Sequence, residues 1–196
     1  MTKANDFPEY EAIHTILLDR DGVINEDSPE FIKSPEEWCP IPGSLEAIAR
    51  LTASGFRVVV ISNQSGLARG LLDLETLKAI HGKMLKAVAQ AGGRIEAIYY
   101  CPHGPDDECQ CRKPKPGLLL QFAADFKADL RRTLLIGDSW RDVEAAQAVG
   151  AHAILVKTGK GRMTLQQHPH PGIPVFDNLY QASNVLTKNK ITQPIP

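Results

Sequence analysis

Short apolar runs, separated by segments with helical signals, are the feature that most restricts the fold of this chain. The runs occupy residues 13–18, 56–61, 95–100, 133–136 and 153–156. Their apolar residues follow one another without alternation, which is typical of strands covered on both faces. Helices are predicted at 43–54, 73–90, 116–127 and 140–149, followed by a short strand at 174–176 and a last helix at 178–186. This order predicts an α/β fold with a central parallel sheet between two layers of helices.

The length and composition suit one domain. Of the 196 residues, 43% are hydrophobic, which is enough for a single medium-sized core. We predict an N-terminal extension at 1–12, one folded domain at 13–187 and a flexible tail at 188–196. Residues 22–42 are rich in Pro, Asp, Glu and Ser without a clear period, which indicates a long loop. That segment is too short for a mobile cap domain.

Charge and hydropathy exclude several classes of partner. The formal net charge is −1, so no overall field attracts nucleic acid or anionic membranes. No apolar run approaches the ~20 residues that a membrane helix needs. The N-terminal stretch MTKANDFPEYEAIH lacks the apolar region of a secretory signal. We therefore expect a cytoplasmic protein without nucleic-acid or membrane partners.

Polar motifs follow the first four predicted strands. They are Asp-Arg-Asp-Gly at 19–22, Ser-Asn-Gln-Ser-Gly at 62–66, a Cys/His cluster at 101–111 and Gly-Asp-Ser at 137–139. In an open parallel sheet, ligands bind beyond the carboxyl ends of the strands. The four motifs are therefore expected to meet at one edge and form a single active site.

Asp19 and Asp21 place two carboxylates on the turn after the first strand. Aspartate is a known covalent nucleophile for phosphoryl groups, so one of the pair can attack phosphorus. The other can exchange a proton with the leaving oxygen, a role that requires a different protonation state. Alternatively, the two residues are solvated acids on a turn, a common setting for so short a motif.

Asp138 follows the fourth strand and, together with Asp19, offers hard oxygen ligands for Mg²⁺. Alternatively, Asp138 or Ser139 is the N-cap of the helix that follows, and both roles are compatible. Asp142 lies one helical turn further on. It either binds the metal through water or orients Asp138.

The loop at 62–66 provides a hydroxyl and adjacent backbone N–H groups, which suit a phosphate oxygen. An ordinary polar loop between strand and helix is the alternative. Arg69 and Lys113 add positive charge. Lys113 could neutralise both the Asp19 carboxylate and an incoming phosphate, although a solvated surface position is the usual place for a lysine.

Three cysteines and a histidine are grouped within eleven residues. Together they form a Cys₃His set that matches tetrahedral structural zinc, and its members are Cys101, His103, Cys109 and Cys111. A redox pair is less favoured because there is no Cys-x-x-Cys motif. Cys39 lies apart, and we interpret it as a small apolar side chain.

Four segments, taken in order, resemble the signature motifs of the haloacid dehalogenase (HAD) superfamily of phosphotransferases. They are LLDRDGVIN, ISNQSG, the lysine of RKPKPG, and GDSWRD. Within that superfamily, NQSGLARG, YYCPHGPDDECQCRKPKPG and LVKTGKGR resemble the D-glycero-D-manno-heptose-1,7-bisphosphate 7-phosphatases. The resemblance covers roughly residues 13–186. It implies a three-layer α/β/α, Rossmann-like HAD fold with a minimal cap and a zinc-bound loop.

The resemblance also implies residue roles in a sugar bisphosphate phosphatase. Asp19 would attack the C7 phosphate to form an aspartyl-phosphate, and Asp21 would protonate the departing oxygen and then activate water. The Asp19 side chain, the Asp21 main-chain carbonyl and Asp138 would hold Mg²⁺. Ser62 and Lys113 would hold the phosphoryl group, and the remaining substrate contacts would come from Asp27, Ser28, Asn63, Gln64, Ser65 and Arg112. The product, heptose 1-phosphate, is an intermediate toward the ADP- or GDP-activated heptose of lipopolysaccharide and related glycans.

Two departures keep an alternative open. Some members carry Lys where this chain has Ser139, so a substrate or metal contact there is unassigned. The five-residue spacing between His103 and Cys109 also occurs in histidinol-phosphate phosphatases, which share the Asp-Arg-Asp-Gly motif and the cluster. Histidinol phosphate is therefore the alternative substrate, although NQSGLARG and KTGKG favour the heptose.

The sequence argues against two other functional classes. A zinc ribbon that binds nucleic acid would need a basic and aromatic stripe, which the sequence lacks. A phosphatase for DNA ends or nucleotides would share the core, but no extended basic groove to hold a polymer is evident. The chain has no heptad seam or obvious apolar patch, so we expect a monomer that acts on a small sugar phosphate.

Overall fold

The computed structural model describes residues 12–188, which form an alternating sequence of strands and helices. The strands are β1 Thr15–Leu18, β2 Arg57–Asn63, β3 Ala97–Cys101, β4 Thr133–Gly137, β5 His152–Val156 and β6 Val175–Phe176. The helices are α1 Ser44–Ala53, α2 Leu74–Gln90, α3 Gly117–Phe126, α4 Trp140–Gln147, α5 Gly161–Gln167 and α6 Leu179–Lys188. The predicted extension at 1–12 and tail at 188–196 fall almost entirely outside the described residues.

The six strands of residues 12–188 form one parallel sheet in the order β3-β2-β1-β4-β5-β6. Strand β1 lies at the centre, with Leu17 paired to Val59 on one side and to Leu135 on the other. The chain progresses outward in one direction through β2 and β3, and in the other through β4 to β6. Because strand order reverses beside β1, the crevice at its carboxyl end is the expected ligand site.

Successive residues of the central strands enter two separate apolar layers. Ile16 and Leu18 pack with helices α1, α2 and α6, whereas Leu17 packs with α3 and α4. Strands β2 and β4 divide their residues in the same way, so both faces of the sheet are covered. The predicted three-layer α/β fold is therefore confirmed.

Most predicted elements lie within a few residues of the observed bounds. Asp73 is the N-cap of α2, since its carboxylate accepts the Thr76 N–H at 2.7 Å. Helix α6 continues to Lys188, one residue into the predicted tail. Helix α5 and a 3₁₀ turn at Leu130–Arg132 were not predicted. Glycine is a poor helix former, so the glycine-rich start of α5 carries no helical signal.

The long loop at 22–42 contains no helix and covers the end of β1. Trp38 is 1% exposed and donates its indole N–H to Asn25 Oδ1 at 3.0 Å, which anchors the loop. Cys39, which we interpret as a small apolar side chain, is exposed and does not pack in the core. No helix within residues 12–188 has the length and apolar character needed to cross a membrane.

Candidate active site

The polar motifs meet at the carboxyl edge of the sheet, around a cavity of about 330 Å³. Ten of the predicted site residues line it: Asp19, Asp21, Asp27, Ser28, Asn63, Gln64, Ser65, Arg112, Lys113 and Asp138. Ser62 is 1% exposed and is not part of this lining. Its hydroxyl instead accepts the Gln64 side-chain N–H at 2.7 Å.

Asp19 directly follows β1 and is held at one oxygen. Oδ1 accepts the Arg20 backbone N–H at 2.7 Å and lies 3.1 Å from Lys113 Nζ. Burial raises the pKa of Asp19 to about 6, the charge of Lys113 opposes the rise, and Asp142 and Asp21 add to it. Oδ2 receives no hydrogen bond from the described residues and is left available for phosphorus.

Lys113 is the central cation of the site, and its side chain is 2% exposed. Nζ contacts Asp142 Oδ1 at 2.6 Å and Asp19 Oδ1 at 3.1 Å, and it donates to Ile61 O at 2.8 Å. The three N–H groups of the ammonium are therefore all used. Burial alone would lower the pKa of Lys113, but Asp142 and Asp19 raise it above the ordinary value.

Asp142 orients Lys113 rather than Asp138. Its Oδ1 pairs with Lys113, and its Oδ2 accepts the Ser139 backbone N–H at 3.1 Å, at the start of α4. Ser139 is the N-cap of that helix. The sequence contained no sign of the Asp142–Lys113 pair, because the two residues belong to different motifs.

Asp21 accepts hydrogen bonds from three side chains. Arg20 donates from Nε to Oδ1 at 3.0 Å and from Nη2 to both oxygens at 2.9 Å. Asn25 donates to Oδ1 and Gln64 to Oδ2, each at 2.9 Å. Burial opposes ionisation of Asp21, but the Arg20 charge and these donors keep its pKa below the ordinary value.

Arg20 is a site residue that the sequence did not reveal. The guanidinium is 1% exposed, and its Nη1 lies 3.4 Å from Nε2 of His81, on α2. His81 is also buried, and its ring meets Tyr100 edge-on at 5.8 Å between centroids. His81 has no metal-ligand spacing, so its sequence setting gave no signal.

Asp138 is buried beneath two glycines. Its Oδ2 accepts the Lys160 backbone N–H at 2.7 Å, and its main-chain carbonyl accepts the Thr164 hydroxyl at 2.9 Å. A Cβ at Gly22 or Gly159 would overlap the Asp138 carboxylate, and both glycines have positive φ. Burial, Asp19 and Asp142 raise the pKa of Asp138 to about 8.

The carboxylates of Asp19 and Asp138 fit a divalent cation, with that of Asp142 close by. Each offers an oxygen, and these oxygens lie within 4.8 Å of one another. Burial, and then repulsion between the carboxylates, raises the pKa of Asp19 and Asp138, and a cation would relieve the repulsion. Hard carboxylate oxygens are the donor set that Mg²⁺ prefers.

The Cys/His cluster fits a tetrahedral soft-metal site. Its four ligand atoms lie within 4.8 Å of one another, and the sulfur–sulfur distances are 3.1, 3.5 and 3.6 Å. Zinc–sulfur bonds of about 2.3 Å would place sulfur atoms roughly 3.8 Å apart. Burial raises the pKa of Cys101 to about 12; at Cys109 burial acts the same way, but hydrogen bonds from Cys111 and Arg112 lower the pKa to about 7.

The cluster is joined directly to the residues that carry charge into the cavity. Arg112 donates from Nη1 to His103 O at 3.1 Å. The next residue, Lys113, exchanges two hydrogen bonds of 3.1 Å with the Asn63 side chain, one in each direction. The Asn63 amide is therefore occupied in holding the Lys113 backbone to the end of β2.

Three arginines line the cavity and have no carboxylate partner among the described residues: Arg69, Arg112 and Arg141. Arg69 lies over the Phe31 ring, and Arg141 donates to the Ser139 hydroxyl. Burial lowers the pKa of Arg112, and the charges of Arg141 and Arg69 lower it further. The guanidinium groups are therefore close enough to repel one another, an arrangement that an anion would stabilise.

The loop at 22–42 closes the remaining side. Asp27 forms an ion pair with Lys160 at 2.9 Å, which joins this loop to the start of α5. The Ser28 hydroxyl accepts the Glu30 N–H at 3.2 Å and helps to turn the loop. Both residues line the cavity, as does Ser65 on the opposite wall.

Comparisons with known proteins identify close relatives. A family profile described as HAD-hydrolase-like matches residues 110–182. D-glycero-beta-D-manno-heptose-1,7-bisphosphate 7-phosphatases from Bordetella bronchiseptica and Pseudomonas aeruginosa are 57% and 51% identical to this chain. Each alignment spans 87% of this chain and 96% of the relative.

Solved structures agree with the sequence relatives. The D,D-heptose 1,7-bisphosphate phosphatase of B. bronchiseptica, complexed with magnesium and phosphate, superposes with a TM-score of 0.87 at 51% identity, over 90% of this chain and 99% of that one. The D,D-heptose 1,7-bisphosphate phosphatase of Burkholderia thailandensis gives a TM-score of 0.69 at 41% identity, over 92% and 99%.

Proposed function

The chain belongs to the D-glycero-β-D-manno-heptose-1,7-bisphosphate 7-phosphatases of the HAD-like hydrolases, and we propose that it hydrolyses the C7 phosphate of that sugar bisphosphate. The products are inorganic phosphate and heptose 1-phosphate. The observation that carries this assignment is the contact between Lys113 and Asp19, a buried cation beside a carboxylate at the crevice of the sheet.

In the first half-reaction, the Asp19 carboxylate attacks the C7 phosphorus. A bond forms between Oδ2 and phosphorus, and the bond between phosphorus and the C7 oxygen breaks. The departing oxygen takes a proton from Asp21. Both Asp21 oxygens accept hydrogen bonds in the structure, so one donor must move when Asp21 carries the proton.

In the second half-reaction, Asp21 acts as a carboxylate base. It takes a proton from water, and the water oxygen attacks the phosphorus of the aspartyl-phosphate. Phosphate leaves, and Asp19 regains its ionised form. Asp21 is then protonated and ready to serve the next leaving group, so each cycle returns the pair to its starting state.

Two features of the site stabilise negative charge on the phosphoryl group as it is transferred. Lys113 lies at the Asp19 oxygen and is already charged and desolvated, so it needs no rearrangement. The backbone N–H groups of Ser65 and Gly66, which line the cavity, have no protein acceptor among the described residues. They suit phosphate oxygens. Ser62, through Gln64, supports this loop from beneath.

Two metals complete the proposal. Mg²⁺ would be held by the carboxylates of Asp19 and Asp138 and by the main-chain carbonyl of Asp21. It would supply charge neutralisation to the phosphoryl group. Zn²⁺ would be held by Cys101, His103, Cys109 and Cys111, with no open position, and would fix the loop that carries Arg112 and Lys113.

Histidinol phosphate is the second candidate, and the cavity rim discriminates between the two. That molecule carries an ammonium group on the carbon next to its phosphate-bearing CH₂, an imidazole at the remote end, and no second anion. Arg69, Arg112 and Arg141 lack carboxylate partners among the described residues and would repel a cation. A second phosphate would instead be attracted, which favours the bisphosphate.

We further propose a cytoplasmic monomer. None of the four cysteines forms a disulfide, which suits a reducing compartment. The large apolar side chains exposed in residues 12–188 are Leu71, Leu74, Leu85, Leu120, Met163 and Tyr180. They are distributed over α2, α3, α5, α6 and the loop before α2, rather than forming one surface of a stable dimer.

The test compares kcat/KM for phosphate release from the α and β anomers of heptose 1,7-bisphosphate and from histidinol phosphate, with Mg²⁺ present. We expect one bisphosphate anomer to be preferred over histidinol phosphate by about 10- to 100-fold, because an extra charge-assisted contact is worth roughly 1.5–3 kcal/mol. A preference for histidinol phosphate would overturn the assignment.

A further inference from the structure

Resting on the proposed function, we infer that Arg20 and His81 are positioning residues for the proton-transfer carboxylate. Arg20 fixes the orientation of Asp21, and His81 fixes the orientation of the Arg20 guanidinium. Neither residue lies among the proposed metal ligands or phosphate contacts. Their effect on the reaction passes entirely through Asp21.

The first observation is the geometry of the contact between the Arg20 guanidinium and the Asp21 carboxylate. Arg20 reaches both oxygens of Asp21 with three contacts of 2.9–3.0 Å. A carboxylate can rotate about its last side-chain bond, and two-point donation by a rigid guanidinium stops that rotation. Asn25, itself held by Trp38, adds a donor at Oδ1. Asp21 is therefore held rigidly at the cavity wall.

The second observation is the burial of Arg20. Its guanidinium is 1% exposed, whereas the Asp21 side chain is 22% exposed. A buried ion pair is usually no more stable than apolar side chains of similar volume, so stability alone does not explain a charge at this place. The burial is explained if the two-point contact serves to orient the Asp21 carboxylate, which faces the cavity.

The third observation is the contact with His81. A guanidinium has only donors, so Nε2 of His81 must present its lone pair to Arg20 Nη1, and the ring must be neutral with the proton on Nδ1. Tyr100 packs edge-on against this ring. Helix α2 thereby supports Arg20 from the side opposite Asp21. Nη1 has no other acceptor among residues 12–188.

Arg20 and His81 should affect only those steps of the reaction that depend on Asp21. Expelling a sugar oxygen needs the proton of Asp21, whereas p-nitrophenolate is stable as an anion and leaves without one. Attack by water on the aspartyl-phosphate needs Asp21 with either substrate. Misplacement of Asp21 should therefore slow sugar release and dephosphorylation, yet leave p-nitrophenolate release unchanged.

The experiment uses Arg20→Met, His81→Leu and His81→Gln in the full-length, metal-loaded enzyme. Rapid mixing with p-nitrophenyl phosphate measures the burst of p-nitrophenolate, whose amplitude counts competent active sites. Steady-state rates per competent site are then measured with p-nitrophenyl phosphate and heptose bisphosphate. Counting sites in this way separates positioning from partial misfolding. The exposed His170, changed to Leu, is the control.

We expect the burst rate to stay within about 2-fold of wild type, while kcat with heptose bisphosphate falls about 10-fold in His81→Leu and about 100-fold in Arg20→Met, with little change in KM. His81→Gln should recover most of the rate, because an amide oxygen can accept from Arg20. Equal losses in the burst and in sugar turnover, or unchanged kcat, would overturn the inference.

The same data separate the two proposals. If the wild type forms the burst but releases no phosphate from heptose bisphosphate, the substrate assignment fails. The positioning role is then decided by p-nitrophenyl phosphate alone. It stands if His81→Leu lowers steady-state turnover without slowing the burst, and it fails if both rates change together.

Discussion

Asp142 and Lys113 form a buried ion pair of 2.6 Å, with side chains 3% and 2% exposed. The two oxygens of Asp142 have separate partners, Lys113 Nζ at Oδ1 and the Ser139 N–H at Oδ2. This carboxylate therefore links the loop after the Cys/His cluster to the first turn of α4. Lys113 and Asp138, the residue before Ser139, are thereby held at a fixed separation.

Asp142→Asn should destabilise the fold by about 2–4 kcal/mol. Asparagine has only one acceptor oxygen, so either Lys113 or the Ser139 N–H must face an amide NH₂ group instead. Urea unfolding measures the change, with Glu144→Gln, an exposed position on the same helix, as the control. A midpoint equal to that of the control would show that the buried pair contributes nothing.

Motifs that are continuous in the sequence could be predicted, and so could the contact between Lys113 and Asp19, but the other contacts between motifs could not. Asp19 and Asp138 each directly follow a buried strand, so the sheet alone places them at one edge. The contact between Arg20 and His81 spans 61 positions and depends on where α2 packs. No local pattern encodes that distance. The rim arginines that lack a carboxylate partner among the described residues likewise come together only when two loops and the start of α4 meet.

Asp19→Asn should abolish turnover, with a loss of at least about 10³-fold in kcat. The uncharged amide of asparagine is too weak a nucleophile to attack phosphorus. It has nearly the size of the carboxylate and leaves Asp142 paired with Lys113. Phosphate release measures the loss, and the melting temperature and zinc content should match those of wild type. Asp106→Asn, an exposed change, is the control. Substantial remaining activity would contradict the covalent role.

Cys109→Ser should lose zinc and lower the stability by about 2 kcal/mol, or roughly 4–8 °C in Tm. Activity should fall as well, because the loop that positions Arg112 and Lys113 is no longer fixed. Cys39→Ser is the matched control, since Cys39 is exposed and outside the cluster. Metal analysis and thermal melts compare the two variants. Full zinc loading with an unchanged Tm in Cys109→Ser would rule out a structural zinc site.

Arg141→Gln should raise KM for the bisphosphate about 10-fold, because one charge-assisted contact to the second phosphate is lost. KM for p-nitrophenyl phosphate, which has no second phosphate, should change little. Arg162→Gln removes the same charge at an exposed position outside the cavity and serves as the control. If KM rises equally for both substrates, Arg141 contributes only general attraction and not recognition of a second anion.

Gly159→Ala should weaken magnesium binding, because a Cβ at this position would overlap the Asp138 carboxylate and the backbone of Gly22. The positive φ of 53° adds strain of about 1 kcal/mol. We expect the Mg²⁺ concentration for half-maximal activity to rise about 10-fold, as for other changes that displace a metal ligand. A magnesium titration measures this shift directly.

The matched control is Gly82→Ala, in the middle of α2, where a Cβ would meet nothing within 4 Å. Removing a helical glycine there should stabilise the protein by about 0.5–1 kcal/mol and leave the magnesium dependence unchanged. The two substitutions are chemically identical, so any difference in magnesium affinity comes from the position alone. An unchanged titration in Gly159→Ala would mean that Asp138 tolerates displacement, and its place among the magnesium ligands would have to be abandoned.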